Sequence, residues 1–372
     1  GRGVVRIMAI TRITAPALQS VREPNFRNIL INGDMAVSQR ATSTASVASN
    51  GYHACDRWRY AENSSAVVTI SQDTDVPTGQ GFASSFKVDV TTADASLGAA
   101  ENVLLQQKLE GQNLQYLKKG TSNAVSLTLS FWVKSTKTGT FIATLYDRDN
   151  TRNISKSYTV SVSDTWEQKT ITYAGDTTGA LDNDNASSLE LWLWLGVGSN
   201  YSSGSLATSW ETETAANQAV GQVNAVDNTS NNFLLTGVQL EAGSVATDVE
   251  VVPYSQNLQR CSRYYEKLVT VDILTVGYSG STANAISMMA YVYLKRANGS
   301  VTLPTAGSGA GEISHLNTSG AYPSTMGSIA VFSAGVNSFS VNQTGMTGAY
   351  SASGFAFALY GGGASIEIDA EL

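Results

Sequence analysis

SSLELWLWLGVG, residues Ser187–Gly198, alternates with a period of two. Successive side chains of a strand point to opposite faces, so Leu189, Leu191, Leu193 and Leu195 share one face and Trp192 and Trp194 the other. A strand that is apolar on both sides belongs in the middle of a sheet with cover on both faces. A helix would instead repeat its apolar positions at three and four.

The same period extends outward from this run. AVVTISQ (Ala66–Gln72), SFKVDVTT (Ser85–Thr92), VSLTLSFWVKS (Val125–Ser135), GTFIATLYD (Gly139–Asp147) and SKSYTVSVS (Ser155–Ser163) all alternate, as do EQKTITYAG and NNFLLTGVQLE. Between them lie turns such as DNDN and GSNYSSGS. About eight to ten strands at this spacing, with no helices between them, point to an antiparallel sandwich of jelly-roll type over residues 25–252. Trp58, Trp132, Trp166, Trp192 and Trp194 fall on strand patterns and are expected in its core. ENVLLQQKLEGQNLQYL is open between a helical turn and an edge-strand excursion.

Charged residues make up 14% of the chain, against about 25% in ordinary soluble domains. With a net charge of −7 and no basic stripe, a nucleic-acid partner is not expected. No run of about 18 apolar residues occurs, so no membrane-spanning helix is expected. Gly1–Ile7 precedes Met8 and lacks the apolar core and cleavage site of a secretory signal. The two cysteines, Cys55 and Cys261, are too few for a disulfide framework; they are either one bridge or two buried thiols. The first 24 residues, with Pro16 and Pro24, are too short to bury a core and are expected to be an attachment arm.

After Pro253 comes the one compact helical pattern. Ser255 is placed as its N-cap, and Leu258, Cys261, Tyr265 and Leu268 line one face of three turns. Arg260, Arg263 and Lys267 then point toward water or a neighbour. Residues 253–268 would plug the joint between two β-domains. From 269 to 372 only seven charged residues occur: Asp272, Lys295, Arg296, Glu312, Glu367, Asp369 and Glu371. Strand patterns recur there, giving a second, smaller β-sandwich. So little charge on a small domain is a solubility hazard that association with identical copies would remove. The expected fold is therefore all-β: a short N-terminal arm, a jelly-roll sandwich, a short helix and a second sandwich.

Several of these runs resemble a known family. NILINGDMAVSQR (Asn28–Arg40) followed by CDRWRY (Cys55–Tyr60) resembles the opening of a domain common in bacteriophage tail-fibre and receptor-binding proteins. SLTLSFWVKS and DTWEQKTITYAG resemble strands of that domain, which is similar to a carbohydrate-binding-module jelly roll. FLLTGVQLEAGSVATDVEVVPYSQNLQRCSRYYEK resembles its closing strand and helix, and the terminal IEIDAEL resembles the way many such fibres end. The likeness covers residues 26–372. It implies a virion location, a homotrimer, attachment to phage tail or adaptor proteins through residues 1–24, and host-surface polysaccharide as partner. The chain departs from the pattern at Asp248-Val249-Glu250, where the family writes Pro-Phe-Glu, and in an insertion around Tyr201–Val226.

Catalytic constellations are scarce. His53 and His315 lie far apart, and there is no GxSxG elbow, P-loop or dinucleotide fingerprint. The acid pairs Asp147/Asp149, Asp182/Asp184 and Glu211/Glu213 sit in turns, where such residues bond their own backbone, so no enzyme and no cofactor are expected. LDNDNASS places Asp182 and Asp184 beside Asn183 and Asn185 as a candidate calcium loop, with a solvated turn as the competing reading. Sugar binding needs aromatic faces flanked by amides and carboxylates. Tyr201, Trp210 and Glu211, beside Asn200 and Glu213, lie in a polar loop that no core periodicity explains. Tyr278, His315, Tyr322 and Tyr350, expected in Gly/Ser-rich turns of the last segment, are the candidates at an exposed tip. The reading is a fibre protein that binds glycan without cleaving it; the alternative is a capsid-decoration or tail-adaptor subunit with no ligand, and a polysaccharide depolymerase comes third.

Overall fold

The computed structural model describes residues 26–269, 275–279, 285–291, 293–304, 312–316, 328–344, 355–360 and 365–372. Residues 1–24, expected to be an attachment arm, lie outside them. Twelve strands build the first part: β1 (Ser43–Val47), β2 (Arg59–Glu62), β3 (Val67–Asp73), β4 (Ser85–Thr92), β5 (Asn102–Glu110), β6 (Leu127–Ser135), β7 (Gly139–Asp147), β8 (Arg152–Val160), β9 (Glu167–Tyr173), β10 (Ser187–Val197), β11 (Glu211–Thr212) and β12 (Asn232–Ala242). They form two antiparallel sheets of six, ordered β1–β3–β4–β12–β6–β9 and β11–β8–β7–β10–β5–β2. This is the expected jelly-roll sandwich. LELWLWL is β10, a central strand paired with both β5 and β7.

The core between the sheets follows the period-two pattern. Leu189, Leu191, Leu193 and Leu195 from β10 meet Leu129, Phe131 and Val133 from β6 and Phe233, Leu235 and Leu240 from β12. Burying one such side chain contributes about 1.5–3 kcal/mol relative to leaving it in water. Trp58 and Trp194 are buried as expected, but Trp132 and Trp192, on outer sheet faces, and Trp166, just before β9 with its indole bonded to Asp75, are only half-buried. ENVLLQQKLEGQNLQYL resolves into β5 followed by two short 3-10 turns, Gly111–Asn113 and Gln115–Leu117.

The motif that carries the family resemblance is spent on holding the chain together. Asn28 accepts from the Leu30 and Leu240 amides and donates to the Val238 carbonyl. The Asn32 side chain pairs with the backbone of Val37 and Asp56, and the Asn32 main-chain carbonyl accepts from the Trp58 indole at 3.0 Å. A Cβ on Gly33 would sit 2.0 Å from the Val238 carbonyl oxygen, so only glycine fits. Asp56 receives both the amide and the side chain of Gln39, whose amide also reaches the Tyr265 carbonyl.

Helix α1 (Tyr254–Ser262) is shorter than the sequence pattern suggests. Its N-cap is Pro253 and not Ser255, with no side-chain cap bond. Tyr265 and Leu268 are not on the helix: they belong to β13 (Tyr265–Val269). That strand pairs with β21 (Ser365–Asp369) near the end of the chain, and ladder bonds to a distant segment override local helical spacing. The second sandwich thus begins inside the stretch expected as linker. Arg260 and Arg263 do find a neighbour within the chain: Arg260 donates to the Asn28 and Leu30 carbonyls, and Arg263 clamps Glu110 at 2.9 and 2.8 Å.

The second part contains β13, β14 (Thr275–Ser279), β15 (Ala285–Ala290), β16 (Ser300–Thr302), β17 (Glu312–Leu316), β18 (Ser328–Ala334), β19 (Ser338–Thr344), β20 (Phe355–Tyr360) and β21. A three-stranded sheet, β13–β21–β16, faces a six-stranded one, β17–β20–β14–β15–β19–β18. Ile366 and Ile368 of the small sheet meet Met289, Phe339 and Val341 of the large one, which is the second, smaller sandwich. Several of its charges among the described residues lie at or near the joint, while Glu312 sits on β17. Glu371 pairs with Arg57 and Arg40, Lys295 with Glu266, Glu367 with Lys267, and Arg296 bonds the carbonyls of Asn185, Ala370 and Glu371. Cys55 and Cys261 are free and buried, so no bridge joins the two parts.

Candidate functional site

The outer face of the β11–β8–β7–β10–β5–β2 sheet carries the even-numbered residues of β10: Glu190, Trp192 and Trp194. Cross-strand pairing sets their neighbours. Trp192 stands between Gln106 on β5 and Thr144 on β7, and Gln106 in turn stands beside Arg59 on β2. Glu190 stands between Lys108 and Tyr146, and Trp194 opposite Leu104.

The insertion after Gly198 covers half of this face. Trp194 is buried, its indole N–H donating to Thr144 Oγ1 at 2.9 Å, and Tyr201 leans on it with ring centroids 5.8 Å apart. Gln222 Oε1 accepts from the Ile142 amide, and the Ala207 carbonyl from the Ser155 amide. The cover stops short of Trp192. Its indole is half-buried and stacks on Tyr146, with centroids 4.6 Å apart and planes 15° apart. Tyr146 stacks on the indole, Trp194 meets it edge to face with centroids 5.7 Å apart, and Gln106 lies beside it on β5.

The polar groups around Trp192 are held in place. Glu190 is fully buried and its carboxylate accepts from Gln106 Nε2 at 2.5 Å, the Trp192 indole N–H at 2.8 Å and Ser187 Oγ at 3.1 Å, with Arg148 Nε at 3.3 Å. Arg59 donates to Gln106 Oε1 at 2.9 Å. Tyr146 donates to Glu213 at 2.9 Å; burial and that carboxylate push its phenol up to about 12. Burial pulls the Lys108 ammonium below the ordinary lysine range; Glu190 works against this, and Arg59, Arg148 and Arg57 add to it. This arrangement offers an aromatic surface bordered by fixed donors and one fixed carboxylate, which suits a ring bearing hydroxyl groups.

The residues singled out from sequence lie elsewhere. Tyr201 supports the cover over Trp194. Trp210 is half-buried against the core and donates to the Ala174 carbonyl at 2.7 Å, so it pins the insertion. Glu211, on β11, accepts from Asn217, and Glu213 from Tyr146 and Gln218. These groups are not brought together around one opening. Tyr278 and His315 lie on β14 and β17 and not in turns; Tyr322 and Tyr350 lie outside the described residues. Asp184 caps the Ala186 amide, Asp182 donates its amide to Asp149, and Asn185 docks on Arg296. The candidate calcium loop thus also contacts the second sandwich, through Asn185 and Arg296. Among the described residues no cluster of three or more His, Cys, Asp or Glu side chains could hold a metal ion. Of the other acid pairs, Asp147 is buried and bound to Lys119.

Trp192, Tyr146, Gln106, Arg59, Lys108 and Arg148 were not legible as a site from sequence. One signal was available: Glu190 shares the Trp192 face, and a carboxylate amid indoles marks a face that is not simple core.

No protein-family model and no curated protein matches the sequence. Among solved structures, the chain is similar to the enzymatically active domain of tailspike protein 4 of bacteriophage CBA120. The two are 15% identical with a TM-score of 0.32, and the match covers 58% of this chain and 21% of that one. It is also similar to a family 11 carbohydrate-binding module from Clostridium thermocellum, solved with a β-1,3-1,4-mixed-linked tetrasaccharide, at 11% identity and a TM-score of 0.29 over 56% and 99% of the two chains. The N-terminal cellulose-binding domain of Cellulomonas fimi β-1,4-glucanase C is 12% identical, with a TM-score of 0.27 over 56% and 100%.

Proposed function

We propose that this chain is a virion fibre subunit that binds host-surface glycan without cleaving it, using the Trp192 face of the jelly roll. The observation that carries the reading is the half-buried Trp192 indole, backed by Tyr146 and bordered by side chains already fixed in hydrogen bonds. Fixed groups lose little freedom when a ligand arrives, which favours binding by a shallow surface. Both carboxylates on this face, Glu190 and Glu213, are tied down by donors, as suits a binding role and not acid–base work. Residues 1–24 attach the subunit to tail or adaptor proteins. Exposed Ile286, Met288 and Phe332 on β15 and β18 support association of identical copies, a trimer in this reading. Several weak sites together would raise avidity by about 10²–10⁴.

A second reading, a decoration or adaptor subunit with no ligand, draws on the motif itself: Asn28, Asn32, Gly33, Gln39 and Asp56 all serve the fold. Glycan-array binding by the full chain, repeated with Trp192→Ala, separates the two. The fibre reading expects array signals that weaken about tenfold or more in the variant, a loss of about 1.4 kcal/mol. A blank array for both proteins sinks it and leaves the scaffold.

A further inference from the structure

We infer that the Trp192 face selects saccharides that carry negative charge, with the sugar ring on the indole and its anionic group on Arg59. This rests on the glycan reading above and narrows it to a chemical class.

The whole chain is acidic, at −7, yet this patch is not. Arg59, Lys108 and Arg148 stand on it against two carboxylates: Glu190, which Arg148 already meets at 3.3 Å, and Glu213, which accepts from Tyr146 and Gln218 on the β7 side. Arg59 is bonded to a neutral amide, and Lys108 donates to the Leu372 main-chain oxygen at 2.8 Å. Among the described residues neither makes an ion pair. Arg57, below them, is matched by Glu371. The uncompensated positive charge thus sits at Arg59, on the β2 side of Trp192.

Arg59 and Trp192 are separated by Gln106 alone, two strand spacings or about 10 Å between backbones. A long arginine side chain and a sugar substituent bridge that span together. A guanidinium offers a planar fork that matches a carboxylate in two parallel bonds, and it also meets a sulfate ester. Gln106 holds the Arg59 head through Nη1, leaving its other donors for a ligand. A neutral sugar would leave that charge without a counterpart.

The test is calorimetric titration of the full chain with three oligosaccharides of equal length: an oligogalacturonate, the neutral oligogalactoside and a sulfated oligogalactoside. At low salt an anionic oligomer is expected to bind at least tenfold tighter than the neutral one. The difference should shrink as salt rises, since exposed charges are screened over about 8–10 Å at physiological ionic strength. Whichever anionic oligomer is preferred identifies carboxylate or sulfate as the source of charge. Arg59→Gln should erase the preference between anionic and neutral oligomers, whereas Trp192→Ala should weaken every oligomer. Equal binding of neutral and anionic oligomers, still lost in Trp192→Ala, overturns charge selection and leaves the glycan site standing. A preference that survives in Arg59→Gln overturns the role of Arg59. No binding of any oligomer overturns the glycan reading itself.

Discussion

The guanidinium of Arg57 lies over the ring of Tyr264, 3.5 Å from its central carbon to the ring centroid. The same group bonds Glu371, one residue from the end of the sequence, and the Lys108 carbonyl at 2.7 Å. One buried cation therefore ties the jelly roll, the segment after helix α1 and the last residues of the chain. Strands β13 and β21 and these ion pairs, with helix α1, hold the two sandwiches to each other.

Arg57→Ala should destabilise the protein by about 1–3 kcal/mol, because the Glu371 carboxylate keeps only Arg40, at 3.4 Å, and the Lys108 carbonyl loses its donor. Chemical unfolding followed by tryptophan fluorescence reads the loss. Replacing both residues, Arg57→Met with Glu371→Leu, should recover a large share of it. A single variant as stable as the parent would show that the pair carries no weight.

Asp56 gives the joint a pH signature. Burial lifts its carboxyl from the ordinary 3.8 to about 6, against the lowering effect of Gln39 and Arg40. A raised carboxylate is at no disadvantage when both states are protonated, below about pH 4. Its ionisation penalises the folded state progressively as pH rises through 6. Two pKa units correspond to about 3 kcal/mol. Asp56→Asn should therefore gain stability relative to the parent between pH 4 and 7, in matched denaturant titrations. A difference between the two that stays flat over this range would refute the assignment.

Gly33→Ala tests the close approach in the NILINGD run. A methyl group there meets the Val238 carbonyl oxygen at 2.0 Å, and that oxygen belongs to a core strand that cannot step aside. A cost of about 1–3 kcal/mol is expected, as for overpacking a filled interior. Thermal melting is the readout, and an unchanged midpoint would mean that the strand yields.

Cys55 and Cys261 are both fully buried, and burial pushes both thiols well above their usual range. Thiolate is the reactive form, so neither should react with a disulfide reagent in the native protein. Both should titrate once denaturant is added. A rapid reaction of either thiol in the folded chain would place it near the surface.

Much of the site escaped sequence reading because it depends on what lies above a sheet. Alternation assigns Trp192 and Trp194 to one face equally. Trp194 lies under the insertion, and Trp192 stays partly open, because Tyr201, Gln218 and Gln222 reach only so far across β7 and β10. Trp210 was conspicuous in a polar loop, yet it serves as the pin that holds that loop. Arg59, Gln106 and Lys108 sit on two strands more than forty residues apart in sequence; register alone brings them to Trp192.

Local periodicity in the amino-acid sequence was enough to specify the all-β class, the jelly-roll body, the central position of β10 and a second sandwich after the helix. Such features follow from which face of each strand is apolar, and a strand of five to eleven residues carries that information within itself. Where the helix ends, which tryptophan is open and which arginine lacks a carboxylate were decided by tertiary structure. Each of those depends on groups far apart along the chain, and pairing between distant strands outweighs the preferences of any one of them.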